Sequence, residues 1–213
     1  MYNTLEIKIC GINDQISMAT ALECKVEYVG LVFYEKSPRN VSVAYSQKLL
    51  RNRNKHTKIV ALTVNPDDNF INNLKKNINP DYIQLHGNET PNRCKEIKNN
   101  FAIPIIKGIG IKNKLDLVKA KEKYENICDI LLLDSPSTRL PGGNGEKFDW
   151  KFLDNYQSKK KWMLAGGLNI DNISQAINIG NPPAIDISSG VEVDKGMKNP
   201  TMIRDFVKKC RNI

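Results

Sequence analysis

The sequence predicts one α/β domain over residues 1–213, built as a single (β/α)8 barrel with eight parallel strands. Two observations lead to this fold class. Eight short apolar runs recur along the chain, and each is followed by a longer polar stretch in which apolar residues have helical spacing. The side-chain period therefore changes from two to about 3.6 after each run. A chain of 213 residues is also long enough for one such barrel.

The apolar runs are predicted to be the strands of the barrel. They cover residues 5–10, 28–33, 58–64, 82–86, 103–107, 130–134, 162–165 and 184–188. Alternating strands and helices imply parallel pairing through right-handed crossovers. Eight such units close a barrel more naturally than they leave an open sheet, and a doubly wound open sheet is the structural alternative.

Three helix starts are marked by a capping residue followed by proline, which loses no hydrogen bond at the first helical position. They are Asn65-Pro66, Thr90-Pro91 and Asn199-Pro200. The connection over residues 135–147 is long and contains proline and glycine, so it is a candidate lid over the site.

The formal net charge of +9 is compatible with nucleic acid, a membrane surface or an anionic substrate. The basic residues are dispersed along predicted outer helices with few aromatic residues among them, which favours a solvated surface. We therefore expect a small-molecule partner and neither nucleic acid nor a membrane. No apolar run is long enough to span a bilayer and the N-terminus lacks a signal-type pattern, so we expect a cytoplasmic protein.

The cysteines and histidines do not indicate a metal or a disulfide framework. Five cysteines are widely spaced and form no CxxC pair, which predicts free thiols. Only two histidines occur, His56 and His86, so a histidine-based metal site is poorly supplied. The sequence predicts no metal and no cofactor.

Polar residues stand at the ends of several predicted strands, where a (β/α)8 barrel carries its chemistry. In the first strand Ile7 and Ile9 belong to the apolar side, so Lys8 and Cys10 are expected to point into the barrel. The same alternation places Asp134 at the inner rim of the sixth strand. Further residues expected to face inward are Gln84, His86, Lys107, Asp186 and Ser188.

Strands one and eight are neighbours in a closed barrel, so Lys8 and Asp186 are expected to approach each other beneath Cys10. A nearby ammonium group favours a thiolate over a thiol. A purely structural ion pair explains the two residues equally well.

Glycine-rich turns follow the seventh and eighth strands. Residues 165–169 read AGGLN and residues 188–190 read SSG. Either stretch alone is typical of a plain turn. Together, at the positions where (β/α)8 barrels bind phosphate, they favour a phosphate site.

Seven short motifs occur along the chain, between residues 8 and 192. They are KICGI at 8–12, SPR at 37–39, QLHG at 84–87, LLLDS at 131–135, GGNGEKFDW at 142–150, LAGGLN at 164–169 and DISSGVE at 186–192. Together they resemble the phosphoribosylanthranilate isomerase family from the first strand to the last. Fragments such as AGGL and SSG are shared with other phosphate-binding barrels, whereas KICGI with SPR and GGxGxxFDW is not expected in those relatives.

The resemblance implies an Amadori rearrangement of N-(5'-phosphoribosyl)anthranilate in tryptophan biosynthesis, with Asp134 as acid and Cys10 as base. Asp134 then has to hold a proton near neutrality while Cys10 has to lose one, so their surroundings are expected to act in opposite directions. The implied substrate-binding residues are Arg39 near the anthranilate carboxylate, with Gly166, Gly167, Asp186, Ser188, Ser189 and Gly190, and Lys8, Gln84 and His86 are supporting residues. We expect a monomer or a homodimer.

Two other enzymes remain as alternatives, both phosphate-binding barrels. Indole-glycerol-phosphate synthase would need a lysine-centred catalytic set, and the isomerase of the histidine pathway would need aspartate where Cys10 stands. A basic barrel that binds nucleic acid is the non-enzymatic alternative. Two departures from the family pattern, Asn13 and Leu140-Pro141, affect loops, and Gly143 and Gly145 are expected to make the sixth loop mobile.

Overall fold

The computed structural model describes residues 5–136 and 149–213. Within them eight parallel strands form a closed barrel in sequence order, which confirms the predicted fold class. The first and last strands pair with each other and close the ring. The strands are β1 (Glu6–Cys10), β2 (Tyr28–Phe33), β3 (Lys58–Thr63), β4 (Tyr82–Leu85), β5 (Ile105–Gly110), β6 (Ile130–Asp134), β7 (Lys161–Leu164) and β8 (Ala184–Ile187).

Helices cover the outside of the barrel. They are α1 (Gln15–Glu23), α2 (Val43–Leu49), α3 (Asp68–Asn77), α4 (Pro91–Phe101), α5 (Lys114–Tyr124), α6 (Ile173–Gly180) and α7 (Pro200–Arg211). The described part of the connection between β6 and β7 contains a short 3-10 helix, Trp150–Leu153, where the sequence predicted a helix of the outer layer. The predicted lid and its glycines Gly143 and Gly145 lie almost entirely outside the described residues.

An antiparallel hairpin after β8 was not predicted. It consists of β9 (Glu192–Asp194) and β10 (Met197–Lys198), and a 3-10 helix, Ser189–Val191, precedes it. Strands of two and three residues leave too little periodicity for detection from sequence.

Two of the three predicted helix starts are confirmed. Thr90 caps α4 and Asn199 caps α7, each with proline at the start of the helix. The start predicted at Asn65 is wrong, because α3 begins at Asp68 and Asp67 is its cap. Asn65 instead has a left-handed backbone with φ of 49°, and its N–H is bonded to the Glu89 carboxylate.

The core consists of two apolar layers that alternate along the strands. One layer lies between the strands and the helices and includes Ile7, Ile9, Leu131 and Leu133. The other fills the interior of the barrel and consists of Tyr28, Val60, Ile106, Ile130, Leu132, Met163, Ala165 and Ala184. Because this layer fills the interior, a ligand that enters the barrel is expected to bind above it, at the carboxyl ends of the strands.

The fifth strand departs from prediction. It begins at Ile105 and extends to Gly110, whereas the sequence predicted residues 103–107. Ile106 belongs to the interior layer, so Lys107 faces the helices, and the prediction that Lys107 points inward is wrong. Its ammonium group lies 2.9 Å from the Glu89 carboxylate and 5.8 Å from the centre of the Tyr124 ring. A buried lysine needs such partners, and Glu89 and the Tyr124 ring provide them on the helix side.

Candidate active site

A cavity opens at the carboxyl ends of the strands. All of the site residues predicted from the sequence line it except Lys8 and Gly190. Those that do are Cys10, Arg39, Gln84, His86, Asp134, Gly166, Gly167, Asp186, Ser188 and Ser189. The barrel thus brings together residues from four strands, β1, β4, β6 and β8, and from the loops after β2, β4, β7 and β8.

Lys8 and Asp186 lie beneath Cys10 as predicted. They are register partners across the β1–β8 seam, and Nζ of Lys8 lies 3.0 Å from Oδ1 of Asp186. A Cβ atom added to Gly30 on β2 would lie 2.8 Å from Sγ of Cys10 and 3.1 Å from Nζ of Lys8. Gly30 therefore leaves the space that these two side chains occupy, a role that sequence reasoning missed.

The electrostatic environment of Cys10 differs from the expectation. Burial has the largest effect and raises the pKa of the Cys10 thiol above its ordinary value, while the Lys8 ammonium acts against it. The net direction is upward, so the prediction of a lowered pKa is wrong for the protein without substrate. Lys8 itself keeps its charge, because Asp186 and Cys10 outweigh the effect of burial and raise its pKa.

Asp134 ends β6, and a nitrogen atom lies near each of its carboxylate oxygens. Oδ1 accepts a hydrogen bond of 2.7 Å from the backbone N–H of Ser135, and Oδ2 lies 3.4 Å from Nε2 of His86. Nδ1 of His86 in turn lies 2.9 Å from Nε2 of Gln84. The two supporting residues named from the sequence thus form a chain that ends on the proposed acid.

The glycine-rich turns after β7 and β8 lie against each other. Gly166 and Gly167 have left-handed backbones, with φ of 86° and 64°. A Cβ on Gly190 would collide with the carbonyl oxygen of Leu168. Because only glycine fits this approach, the two turns form one continuous backbone surface beside Ser188 and Ser189. Gly190 does not line the cavity itself, but it allows the two turns that do line it to approach each other.

Arg39 is held by the unpredicted hairpin. Its Nε lies 2.7 Å from Oε1 of Glu192, and its Nη2 lies 2.8 Å from Oε2. Lys198 on β10 also contacts Glu192 and donates hydrogen bonds to the carbonyl oxygen and hydroxyl group of Ser188. Glu192 belongs to the DISSGVE motif, so the sequence did indicate that it lies near the site. The motif does not indicate that its partner is Arg39, 153 residues away.

Within residues 5–136 and 149–213 there is no group of three or more histidine, cysteine or acidic side chains arranged to hold a metal ion. In the same part of the chain, no helix has the length and apolar character needed to cross a membrane.

The closed barrel and the polar cavity at its carboxyl end define a (β/α)8-barrel enzyme. The family model described as N-(5'phosphoribosyl)anthranilate (PRA) isomerase matches residues 7–209. An N-(5'-phosphoribosyl)anthranilate isomerase of Chelativorans sp. is 38% identical over 210 residues, which cover 97% of this chain and 96% of that protein. The chain belongs to the N-(5'-phosphoribosyl)anthranilate isomerase family.

Solved structures agree with this assignment. The crystal structure of phosphoribosyl anthranilate isomerase from Thermotoga maritima has a TM-score of 0.88 and 30% identity, covering 98% of this chain and all of that one. A phosphoribosyl anthranilate isomerase in complex with reduced 1-(o-carboxyphenylamino)-1-deoxyribulose 5-phosphate has a TM-score of 0.83 and 29% identity, with 98% and 100% covered. The activity is therefore the aldose-ketose isomerisation of N-(5'-phosphoribosyl)anthranilate in tryptophan biosynthesis.

Proposed function

We propose that this chain catalyses the isomerisation with Asp134 as general acid and Cys10 as general base. The observation that supports these roles is that the two side chains end strands β1 and β6 and line the same cavity. The reaction needs an acid that protonates the furanose ring oxygen and opens the ring to a Schiff base, and then a base that removes the C2' proton. A carboxyl group and a thiol facing one sugar from two strands meet both requirements.

Cys10 acts as a thiolate, which burial disfavours and Lys8 favours. In the protein without substrate the thiolate is the minor form at neutral pH. The positive charge of Lys8 below the sulfur makes that minor form accessible, and Asp186 keeps Lys8 charged. Deprotonation of Cys10 is then a step that limits the rate at low pH.

The ligand is an anionic sugar phosphate that carries anthranilate. The backbone surface made by Gly166, Gly167, Ser188, Ser189 and Gly190 is suited to the 5'-phosphate, because N–H groups at turns after β7 and β8 bind anions without a lysine. Asp186 also lines the cavity, and its carboxylate is paired with Lys8.

Arg39 is proposed to bind the anthranilate carboxylate. It lines the cavity from the loop after β2. Its Nε and Nη2 are bonded to Glu192, which holds the guanidinium group beside the cavity, where it supplies positive charge for the substrate carboxylate. Glu192 fixes the plane of that group and thereby its orientation toward the ligand.

The test is an assay of purified protein on freshly generated phosphoribosylanthranilate, following the loss of its fluorescence. Cys10→Ala and Asp134→Asn are expected to lower turnover by roughly 100-fold or more, as loss of a general acid or base does. Cys24→Ala and Asp154→Asn make the same changes away from the cavity and should retain activity. Near-normal turnover of Cys10→Ala would reassign the proton abstraction.

Cytoplasmic location and a monomeric or homodimeric state are further proposals, supported by membership in a family of biosynthetic enzymes. Light scattering of the protein as it elutes from a size-exclusion column measures its mass directly, and a trimer or larger assembly would contradict the proposal.

We also propose that the chain does not bind nucleic acid despite its charge of +9. Filter binding at two salt concentrations tests this, because binding through phosphates falls steeply with salt.

A further inference from the structure

Three polar side chains form a line across the floor of the cavity. Gln84 on β4 is fully buried, and its Nε2 lies 2.9 Å from Nδ1 of His86. Nε2 of His86 lies 3.4 Å from Oδ2 of Asp134 on β6. The imidazole ring therefore connects a neutral amide on one side to the proposed acid on the other.

Gly108 on β5 determines where the His86 ring can lie. A Cβ atom on Gly108 would collide with Nδ1 of His86 and lie 2.8 Å from Cε1 and 2.9 Å from Cγ. The ring thus rests in the space that the missing side chain leaves. Its position is set by packing against Gly108 and by contacts at both nitrogens, which are independent restraints.

An amide N–H that donates to Nδ1 leaves that nitrogen without a proton when the imidazole is neutral. The single ring proton is then on Nε2, the nitrogen that lies 3.4 Å from Oδ2 of Asp134. We propose that Gln84 is a positioning residue for catalysis, which holds His86 as the Nε2–H tautomer so that the protonated nitrogen faces the Asp134 carboxyl group.

The consequence concerns the acid step, and it rests on the proposed role of Asp134. When Asp134 gives its proton to the ring oxygen, a carboxylate remains in a half-enclosed cavity. The Nε2–H of His86 and the backbone N–H of Ser135 both stabilise that carboxylate, one at each oxygen. The charged groups around them are Asp186, Lys8 and Cys10 on β8 and β1, and Arg39 on the loop after β2.

The orientation of the Gln84 amide decides which nitrogen of His86 carries the proton. If the Gln84 carbonyl oxygen faced the ring, Nδ1 would carry the proton and Nε2 would present a lone pair to Asp134. That arrangement would stabilise the neutral acid and oppose transfer of its proton to the substrate. In the structure Oε1 of Gln84 points away from the ring and has no hydrogen-bond partner among residues 5–136 and 149–213. Rotation of the amide would place its two N–H groups in that unpartnered position instead, which costs at least as much.

The chain is well suited to a direct test because it has only two histidines. Long-range proton–nitrogen NMR at about pH 8, above the reference range for imidazole, reports which ring nitrogen is protonated. The His56→Gln variant removes the other histidine and leaves the His86 signals alone. We expect a protonated Nε2 in the wild type and averaged nitrogen signals in Gln84→Met. A proton on Nδ1 in the wild type, or an unchanged tautomer in Gln84→Met, would overturn the proposal.

Kinetics supply the second readout. Gln84→Met is expected to lower kcat by about tenfold, the worth of one hydrogen bond, with KM changed by less than about twofold. Gln175→Met makes the same change on the exposed face of α6 and should leave kcat unaltered. A purely structural role for Gln84 would lower the melting temperature without altering the tautomer or the ratio of kcat to the folded fraction.

The acid role of Asp134 and the positioning role of Gln84 can be contradicted independently of each other. An active Asp134→Asn enzyme would remove the acid role but would leave the NMR result on His86 intact. If Gln84→Met does not fold, the wild-type spectrum still decides the tautomer. Gly108→Ala then provides the perturbation, because the new methyl group displaces the ring and should separate Nε2 from Asp134.

Discussion

Lys8 and Asp186 join the first and last strands of the barrel through a buried ion pair, with 3.0 Å between Nζ and Oδ1. They are direct register partners on β1 and β8, the pair of strands that closes the ring. The Lys8 side chain is fully buried and that of Asp186 is 8% exposed. One contact therefore links closure of the barrel to the charge beneath Cys10.

Removal of Lys8 should destabilise the fold. Lys8→Met leaves the Asp186 carboxylate buried without a partner, which costs about 3–5 kcal/mol of unfolding free energy. Urea unfolding measures this loss. Lys161→Met breaks the half-exposed pair between Lys161 and Glu6 and should cost less than about 1 kcal/mol. Equal losses of unfolding free energy in the two variants would show that the buried pair contributes no more to stability than the half-exposed pair.

Alkylation of Cys10 should report its raised pKa. A raised pKa means that less thiolate is present at neutral pH than in a free thiol, so reaction with iodoacetamide should still accelerate above pH 8.5. Mass spectrometry of the modified peptide gives the rate. Lys8→Met removes the nearby positive charge and should slow the reaction at every pH in this range. A rate that levels off below pH 8 would contradict the raised pKa.

Gly166 should not tolerate a side chain. Its φ is 86°, and an added Cβ would lie 2.6 Å from the backbone nitrogen of Ser135. Gly166→Ala should cost about 1–2 kcal/mol and raise KM, because the turn after β7 has to move. Thermal unfolding and the isomerase assay measure the two effects. Gly180→Ala, at the end of α6, serves as the control, because its Cβ would lie 3.3 Å from the Leu153 side chain and 3.7 Å from Trp162, with no backbone contact among the three nearest atoms.

Glu192 should contribute stability that depends on pH. Burial alone would raise the pKa of Glu192, but Arg39 and Lys198 outweigh it and hold the pKa below the usual glutamate value. A lowered pKa gives stability that is present above the unfolded value and is lost as the pH falls through the folded value. The difference in unfolding free energy between the wild type and Glu192→Gln should therefore be largest near neutrality and shrink below about pH 4.

Urea unfolding at pH 7, 5 and 3 measures that difference. Glu122→Gln, on the exposed face of α5, should show no such dependence. A difference between wild type and Glu192→Gln that is constant across the three values would mean that the Arg39 and Lys198 charges do not act on Glu192. The same variant is expected to raise KM, because Arg39 loses the partner that orients it.

The barrel could be predicted because its signals are local. Each strand is an apolar run bounded by polar residues, and alternation along β1 and β6 places Cys10 and Asp134 on the inner side. Where the local signal was ambiguous the prediction was wrong. In β5, Ile105 and Ile106 are both apolar and do not distinguish the two faces of the strand. Ile106 faces the interior, so Lys107 faces the helix layer, because each step along a strand reverses the face.

The sequence by itself determined the order of the strands, the inner face of β1 and β6, and the glycines of the turns after β7 and β8. The tertiary structure decided the bidentate contact between Arg39 and Glu192, the space that Gly30 and Gly108 leave for Cys10 and His86, and the direction in which the pKa of Cys10 moves. Periodicity and turn propensity act within a few residues of the chain. Burial and contacts between distant residues exist only after the chain has closed on itself, so they depend on packing that no local pattern contains.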